Sequence, residues 1–391
     1  MIKQSTITAT EMRGINRSAI LEIIRRESPI ARTTIAKRLG ISLPTVMRIV
    51  DQLVEEGFVQ PHGETEWSGG RRRPLLEFNS HGNVVLGVDM GGTKLYGALS
   101  EISGRIIAED EVDRKGAEGE DCYRLLTKLI DDLLDCPEVR GRRVRGIGVG
   151  APGITHHREG IVKWAYALNW KDFPLKTRLN KRYKLPITVD NDVNLAALGE
   201  LWFGAGQDAQ NMVLITLGAG IGAGIIVDGT LYRGSSEASG EIGHMISGRE
   251  YLGKSYVDFG VLESVASATG MLSRIPKNTT AAGNPSIEAI FEADRHKQAW
   301  ARGVLDEATD ALAIAIANLA VLLDPELIVL GGPLTPYAGS MLDAISKRMQ
   351  GTIPSVPKLV VSNLGLRATV MGAIVTVLHN TSNFYVVHKL S

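Results

Sequence analysis

Carboxylate and amide side chains stand together at Asp190, Asn191 and Asp192, in the stretch VDNDVNLAALGE. The apolar residues 187–189 before them predict a strand, and residues 194–200 predict the start of a helix. The polar side chains would then lie at the carboxyl end of a strand, where α/β sheets bind ligands. A carboxylate there can hydrogen-bond a hydroxyl group or accept its proton. The alternative is helix capping, which one aspartate could perform and which does not require both.

A single histidine, His244, lies between two glutamates in GEIGHMISGREYLGKSYVDFGVLE, which runs from Gly240 to Glu263. Its imidazole could be a metal ligand, a contact to the hydroxyl groups of a ligand, or a core group without chemistry. Glu241 lies three residues before it and Glu263 follows the loop. These neighbouring carboxylates favour the hydroxyl contact.

Two glycine-rich stretches repeat one pattern about 130 residues apart, VVLGVDMGGTKLYGAL and MVLITLGAGIGAGIIV. Each predicts a strand, a glycine turn and a second strand. Glycine allows the positive φ angles and close approach with which backbone N–H groups surround a phosphate. A lone hairpin of this kind is usually an ordinary turn, but the repeat favours two turns that hold one phosphate from opposite sides.

The strands and helices that position these residues come from the chain after residue 80. The first eighty residues predict a separate unit. RTTIAKRLGISLPTVMRIVDQLVEEGFV contains two short helices separated by Gly40. In the second helix one face is apolar, Ser42 is a plausible N-cap and Pro44 fits the first turn. Thr45, Arg48 and Gln52 would point away from the core. The apolar positions are Val46, Ile49, Val50, Leu53 and Val54. This is the pattern of a helix-turn-helix, with an earlier helix before it.

The stretch GFVQPHGETEWSGGRRRPLLEF follows and predicts two extended runs joined by a Gly-rich basic loop, which would form a wing. Arg71, Arg72 and Arg73 could then reach DNA phosphates or the minor groove. Thr45 and Arg48 are the side chains expected to reach base edges. The alternative is a three-helix interaction module whose charges only face water.

Length, charge and cysteine content set the limits. The 391 residues suffice for two or three domains, and 43 basic residues balance 43 acidic ones, although residues 1–80 have 12 basic against 9 acidic side chains. The most apolar stretch, ALAIAIANLAVLL, has 13 residues and is too short for a membrane span. Cys122 and Cys136 provide no disulfide or metal framework. With no secretion leader, we expect a cytoplasmic protein without membrane contact.

The motifs together resemble the ROK family of sugar kinases and sugar-responsive repressors, in its longer form with a winged helix-turn-helix. The resemblance covers nearly the whole chain. It rests on DMGGTK (89–94), DNDVNLAALGE (190–200), GEIGH (240–244), LESVASATG from residue 262, DPELIVLGG (324–332), GISLPTVMRIV and GGRRRPLL. It implies an α/β fold in which residues 1–80 form a winged helix-turn-helix. Residues 81–391 would form a two-lobed, actin- and hexokinase-like (ribonuclease H-like) sugar-binding domain.

The resemblance also implies site residues. The sugar contacts would be Asn191, Asp192, Glu241, His244 and Glu263, and a nucleotide phosphate, if bound, would meet Asp89, Gly91, Gly92, Thr93, Gly218 and Gly220. In kinase members the residue at Asp192 is the general base, working with ATP and Mg²⁺. A homodimer or dimer of dimers is implied as well, which suits a palindromic operator.

Three stretches depart from the family pattern. The family commonly has a zinc loop with three cysteines, where this chain has Lys254, Tyr256 and Val261. Zinc is therefore not expected, because one imidazole cannot hold a structural site. In LGAGIGAG, Ala219 replaces the usual threonine and removes a hydroxyl that could bond a nucleotide phosphate. In the loop before Trp170 the usual sugar-binding asparagine falls at Ala167, so the contact is shifted or the sugar is a different one.

We therefore predict a sugar-responsive transcriptional regulator, a repressor, that needs no cofactor and whose partners are operator DNA and a sugar or sugar phosphate. The alternative is an ATP-dependent sugar kinase, or a bifunctional protein, with Asp192 as base. The intact DMGGTK stretch favours the kinase, whereas Ala219 and the DNA-binding segment count against it.

Overall fold

The computed structural model describes residues 9–68, 71–255, 259–283 and 285–382. Its first unit consists of three helices followed by a β-hairpin. The bounds are α1 Ala9–Glu27, α2 Arg32–Leu39, α3 Leu43–Glu55, β1 Val59–Ser68 and β2 Arg71–Phe78. The predicted helix-turn-helix is confirmed as α2, a glycine turn and α3.

The sequence explains the turn. Gly40 closes α2 with a left-handed φ of 63°, and its N–H group bonds the carbonyl oxygen of Ala36. Pro44 lies in the first turn of α3, where no N–H group is needed. Ser42 occupies the N-cap position as predicted, but its side chain makes no capping bond; its hydroxyl lies 2.8 Å from the Thr45 hydroxyl instead. The apolar face of α3 is buried, so the opposite face is presented outward.

The hairpin places the basic cluster differently from the prediction. Arg71, Arg72 and Arg73 are the first residues of β2, where they pair with Ser68, Trp67 and Glu66 of β1. The prediction that they lie in a loop was wrong, because the strand pairing continues through them almost to the tip. Their side chains lie outside the described part of the chain.

The second unit begins with a five-stranded sheet in the order β10-β6-β3-β4-β5, in which β3, β6 and β10 are parallel and β3, β4 and β5 form an antiparallel meander. A separate three-stranded sheet joins β7, β8 and β9. The bounds are β3 Asn83–Met90, β4 Lys94–Glu101, β5 Ile106–Asp113, α4 Gly119–Leu134, β6 Arg143–Ala151, β7 Ile154–His156, β8 Ile161–Ala165, β9 Trp170–Phe173, α5 Leu175–Tyr183 and β10 Ile187–Asn191. We call this part lobe 1.

A second five-stranded sheet has the same plan in the order β13-β12-β11-β14-β15, and we call this part lobe 2. The repeat predicted from the two glycine hairpins therefore extends to whole sheets. The bounds are α6 Asp192–Phe203, β11 Met212–Leu217, β12 Ile221–Val227, β13 Thr230–Tyr232, α7 Val261–Ala266, α8 Ala268–Ser273, α9 Ile287–Arg295, α10 Ala299–Leu323, β14 Leu327–Gly331, α11 Thr335–Met349, β15 Lys358–Val361 and α12 Arg367–Ser382.

Helices α6 and α12 cross between the two sheets. A Cβ atom added to Gly372 of α12 would lie 1.7 Å from the carbonyl oxygen of Leu195, and one added to Gly199 of α6 would lie 2.1 Å from that of Ala368. Only glycine allows two backbones to approach so closely. The crossing fixes the ends of β3 and β10 relative to lobe 2, and thereby positions the cleft between the lobes.

Candidate functional site

The junction of β10 and α6 forms the floor of the cleft. The strand continues to Asn191, two residues beyond its predicted end. The helix starts at Asp192, two residues before its predicted start. Asn191 is the helix cap: its Oδ1 accepts the Asn194 N–H at 2.9 Å, and its Nδ2 donates to the Gly153 carbonyl at 2.9 Å. The alternative interpretation, in which an aspartate caps this helix, was wrong. Both ends of the Asn191 amide are thus engaged, with room for one further bond at each.

Asp192 is left to face the cleft, with one carboxylate oxygen accepting the Val193 N–H at 2.9 Å. Burial raises the pKa of Asp192 to about 7, and the negative charge of Glu241 adds to this effect. A carboxylate with that pKa is suited to accept a hydroxyl proton near neutral pH. The structure therefore brings Asp192 and Glu241 together from the two stretches that the sequence singled out.

Asp89, at the end of β3, lies next to Asp192. Burial and the charge of Asp192 raise the pKa of Asp89 well above its usual value. A hydrogen bond from the Thr369 hydroxyl lowers this pKa, but by less. The Oδ1 atom of Asp89 is buried without a hydrogen-bond partner. Thr369, on α12, has no signal in the sequence motifs and was missed.

His244 lies in a short 3₁₀ turn, Ile242–His244, and its side chain is exposed. This exposure rules out the core alternative for the histidine. It lines a cavity of about 310 Å³ together with Ile246, Tyr251, Gly253, Lys254, Ser255 and Val261. Glu241 is open to the cleft on one side, and burial with the charge of Glu263 raises its pKa while His244 lowers it. His244 is therefore close enough to Glu241 to affect the pKa of that carboxyl group.

Glu263 joins three parts of the site. One carboxylate oxygen accepts the Ile221 N–H at 2.8 Å and the other accepts the Gly260 N–H at 3.1 Å. A Cβ atom on Gly243 would lie 2.5 Å from the Glu263 carboxyl group, so the GEIGH turn packs against it. Glu263 thus holds β12, the start of α7 and the His244 turn in place, and its role as a sugar contact stays a prediction.

The two glycine turns face each other across the cleft. A Cβ atom added to Gly92 of the first glycine turn (residues 91–93) would lie 3.7 Å from the Ala219 methyl of the second glycine turn (residues 218–220). Thr93 and Ala219 are both exposed. The remaining predicted phosphate contacts, Asp89, Gly91, Gly218 and Gly220, lie at or beside these turns. The two turns thus approach each other closely at Gly92 and Ala219, and their role in holding a phosphate stays a prediction.

The loop at residues 166–170 contains one departure from the family pattern. Asn169 has a left-handed φ of 53°, and asparagine is among the residues that best tolerate this conformation after glycine. Asn169 therefore adopts a backbone conformation that most other side chains would strain. Ala167 is exposed and brings no polar group to this loop.

Two polar links connect the lobes beside the cleft, and neither was predicted. The Arg233 guanidinium of lobe 2 pairs with buried Asp190 of lobe 1. Glu237 of lobe 2 accepts the His157 N–H at 2.7 Å and lies 3.0 Å from its Nδ1. Asp190 is therefore an ion-pair partner rather than a ligand for a hydroxyl group. Arg233 and Glu237 lie in a loop that contains no sequence motif, so no sequence pattern indicated these links.

The outer face of α3 is the candidate DNA surface. Arg48 is exposed and Thr45 is half-buried, with its hydroxyl near Ser42. Gln52 accepts a bond from Arg13 of α1 at 3.2 Å, so it turns toward that helix. Arg48 is therefore the side chain most available for a base contact.

The described residues contain no group of three or more histidine, cysteine or acidic side chains arranged to hold a metal ion. Both cysteines are free thiols. None of the described helices is long and apolar enough to cross a membrane. Tyr256, at one of the three positions where the family pattern has cysteine, lies outside the described residues.

Comparison with known proteins agrees with this geometry. The ROK family model matches residues 85–380, and the model for winged helix-turn-helix DNA-binding matches residues 15–60. The chain belongs to the ROK family. It is 30% identical over 391 residues to a xylose repressor of Caldicellulosiruptor bescii, covering 96% of this chain and 98% of the relative.

Kinase members are similar to the second unit. A glucokinase of Halalkalibacterium halodurans is 36% identical over 313 residues, covering 73% of this chain and 92% of that enzyme. Among solved structures, a ROK family transcriptional regulator described as a homologue of the E. coli MLC protein has a TM-score of 0.81 at 26% identity, covering 95% of this chain and 98% of that one. The fold is therefore a winged helix-turn-helix joined to an actin- and hexokinase-like domain.

The raised pKa of Asp192 predicts a pH effect on stability. Between its unfolded pKa near 4 and its folded pKa of about 7, the folded state holds a proton that the unfolded state releases, so this group makes the protein less stable as pH rises. Asp192→Asn keeps the bond to Val193 and removes the charge. We expect the variant to gain stability over the unchanged protein between pH 5 and pH 8, as measured by urea unfolding. The exposed control Asp343→Asn should differ from the unchanged protein by the same unfolding free energy at every pH. If the difference for Asp192→Asn is also independent of pH, the assignment is contradicted.

Proposed function

We propose that this ROK family member is a sugar-responsive transcriptional repressor that acts in the cytoplasm. One observation carries the proposal: a single chain contains both a helix-turn-helix and a cleft. The helix-turn-helix exposes Arg48, and the cleft is lined by Asp192, Glu241 and His244. Sugar hydroxyls require paired donors and acceptors in a small space, which carboxylates and an imidazole supply. The xylose repressor relative supports this function.

The two units are joined in a way that supports control of DNA binding by the cleft. The end of the winged unit docks on the amino ends of β3 and β6: Asn83 donates to the Gly57 carbonyl at 2.7 Å, and Arg145 bonds the Glu56 carbonyl and lies 4.1 Å from the Phe58 ring centre. The cleft lies at the opposite, carboxyl ends of the same strands. The sheet therefore spans the distance between the two sites.

Helix α12 provides a second connection. Thr369 near its start bonds Asp89 in the cleft, while Ile374 and Val377 further along belong to the same buried apolar cluster as Phe58 and Leu76 of the winged unit. A sugar that changes how the lobes close on Asp89 and Asp192 would shift α12 and the seat of the winged unit. A ligand can change DNA affinity only by binding one of the two arrangements more tightly.

We propose further that the protein acts as a homodimer through α10. Three large apolar side chains on one face of this helix are solvent-exposed: Ile314 by 43%, Val321 by 63% and Leu322 by 79%. Val321 and Leu322 lie seven and eight residues after Ile314, which is about two helical turns, so the three side chains are on one face of the helix. A second copy of this chain is the occupant that a two-fold symmetric operator requires.

The dimer surface can be tested by one charge. Leu322→Asp is expected to shift the protein from dimer to monomer at micromolar concentration, because it places a carboxylate in an apolar interface. Mass photometry or analytical ultracentrifugation measures the outcome. A variant that stays dimeric, or an unchanged protein that is already monomeric, would refute the assignment of α10.

The experiment that tests DNA recognition is selection from a random duplex library with the full chain. We expect enrichment of an inverted repeat whose half-sites lie a whole number of helical turns apart. Enrichment of no sequence would contradict the proposed function, whereas enrichment of a single half-site would contradict only the dimer.

A sugar kinase is the second candidate, favoured by Asp89 and Asp192 side by side below two facing glycine turns. ATP and Mg²⁺ enter only in this case. The unpartnered carboxylate oxygen of Asp89 fits a hard divalent cation, and Mg²⁺ would supply charge neutralisation on the transferred phosphoryl group. A coupled ADP-release assay over hexoses, pentoses and amino sugars decides: turnover of about 1 to 100 per second that Asp192→Asn removes would establish the kinase. Zinc has no part in either candidate, because Lys254 and Val261 stand where thiolates would be needed.

A further inference from the structure

Arg114 is a cleft residue that neither candidate function uses. It directly follows β5, which runs parallel to β3 because both are antiparallel to β4. Arg114 therefore stands at the same carboxyl edge as Asp89. Its backbone N–H donates to the Thr93 carbonyl of the first glycine turn at 2.9 Å.

The guanidinium group of Arg114 is buried without a counter-charge. The residue is 7% exposed, and both Nε and Nη1 are buried with no hydrogen-bond acceptor. Among the described residues, no carboxylate forms an ion pair with it and no aromatic ring stacks on it. An arginine cannot give up its proton, so burial without an anion is strongly unfavourable.

The surroundings of Arg114 suit an anion. The buried Cys122 thiol on the first turns of α4 is close enough that the charge of Arg114 lowers its pKa, although burial has the larger effect and raises that pKa to about 11. The Arg114 side chain thus lies by the N-terminal end of α4, whose dipole also favours a negative charge. The Gly119 carbonyl at this helix start accepts the Trp170 Nε1–H at 3.0 Å. Arg114 therefore lies beside the first glycine turn and near the start of α4, which is itself bonded to Trp170.

We propose that Arg114 forms an anion subsite for the phosphate monoester of a phosphorylated sugar effector. The inference rests on the proposed function and names the chemical class of its ligand. A guanidinium binds phosphate oxygens through charge-assisted N–H bonds, and Nε and Nη1 of Arg114 are two donors without an acceptor among the described residues. The bond from Trp170 to Gly119 connects this helix start to the loop in which the family resemblance predicts a sugar contact, whereas a nucleotide phosphate would need the second glycine turn, where Ala219 lacks a hydroxyl.

Inorganic phosphate tests the subsite without any sugar. Thermal unfolding of the full chain is compared in phosphate and in chloride at equal ionic strength, for the unchanged protein, Arg114→Gln, Arg114→Lys and the control Arg124→Gln, an exposed arginine on α4. Phosphate is expected to raise the melting temperature of the unchanged protein and the control, less so that of Arg114→Lys, and not that of Arg114→Gln. An equal rise in all four would overturn the proposal and leave Arg114 as a packing residue.

Calorimetric titration then separates the sources of phosphate. Glucose and xylose are compared with their phosphate esters and with ATP, and an ester should bind about tenfold or more tightly than its free sugar, a preference that Arg114→Gln removes. Arg114-dependent binding of ATP alone, or an unchanged preference in Arg114→Gln, would overturn the assignment. If free sugars and esters release DNA equally, the proposed function stands and the subsite fails. If neither changes DNA binding, the proposed function fails, and the inorganic phosphate result still decides on Arg114.

Discussion

Replacing Arg48 with alanine should reduce affinity for the selected operator by roughly 100-fold or more, to the level of unrelated DNA. Arg48 is exposed on α3, the helix that presents its polar face outward. A bidentate contact to a guanine edge discriminates by about 1 to 3 kcal/mol, and the proposed dimer would make that contact twice. Fluorescence anisotropy with operator and unrelated duplexes at one fixed salt concentration measures the loss.

A matched variant separates base reading from simple loss of charge. Arg26→Ala removes a positive charge from α1 of the same unit and should lower both affinities by a similar, small factor. Sugar binding of Arg48→Ala should be unchanged, because the cleft lies in another part of the chain. Operator affinity that survives in Arg48→Ala would mean that α3 does not read the bases.

Substitution of Glu241 or Asp192 is expected to remove the sugar response while operator binding remains. Both carboxylates face the cleft and have raised pKa values from burial and from charged neighbours. A sugar hydroxyl bonded to a charged group contributes about 1.5 to 3 kcal/mol, so Glu241→Gln or Asp192→Asn should weaken sugar binding by about tenfold or more. Sugar titration of the preformed DNA complex measures the response.

The control is Glu250→Gln, which removes an exposed carboxylate from the same loop region as His244. It should respond to sugar as the unchanged protein does. A Glu241 or Asp192 variant that is still released from DNA at the same sugar concentration would show that the effector binds elsewhere.

Much of the local structure could be predicted from the sequence, because it depends on residues close in the chain. Gly40, Pro44 and the apolar stripe of α3 predict a helix-turn-helix without tertiary information, and the glycine stretches predict paired hairpins. The clustering of Asp192 with Glu241 also followed, once their motifs were assigned to one cleft.

The errors came from interactions between distant segments. Asn191 caps α6 because the helix begins at Asp192, and Asp190 pairs instead with Arg233, 43 residues later in the chain. Glu263 bonds two backbone N–H groups of separate segments, which no spacing rule indicates. The absence of an anionic partner for Arg114 is likewise visible only once all neighbours are in place.

The measurement that tests the central claim most directly is operator affinity of the full chain with and without each sugar and sugar phosphate of the panel. One ligand is expected to lower the affinity for operator by about 5- to 150-fold, the usual range of coupling between two sites, and operator DNA must lower the affinity for that ligand by the same factor. A ligand that binds the cleft with no change in operator affinity, or a factor that differs between the two directions, would contradict the account.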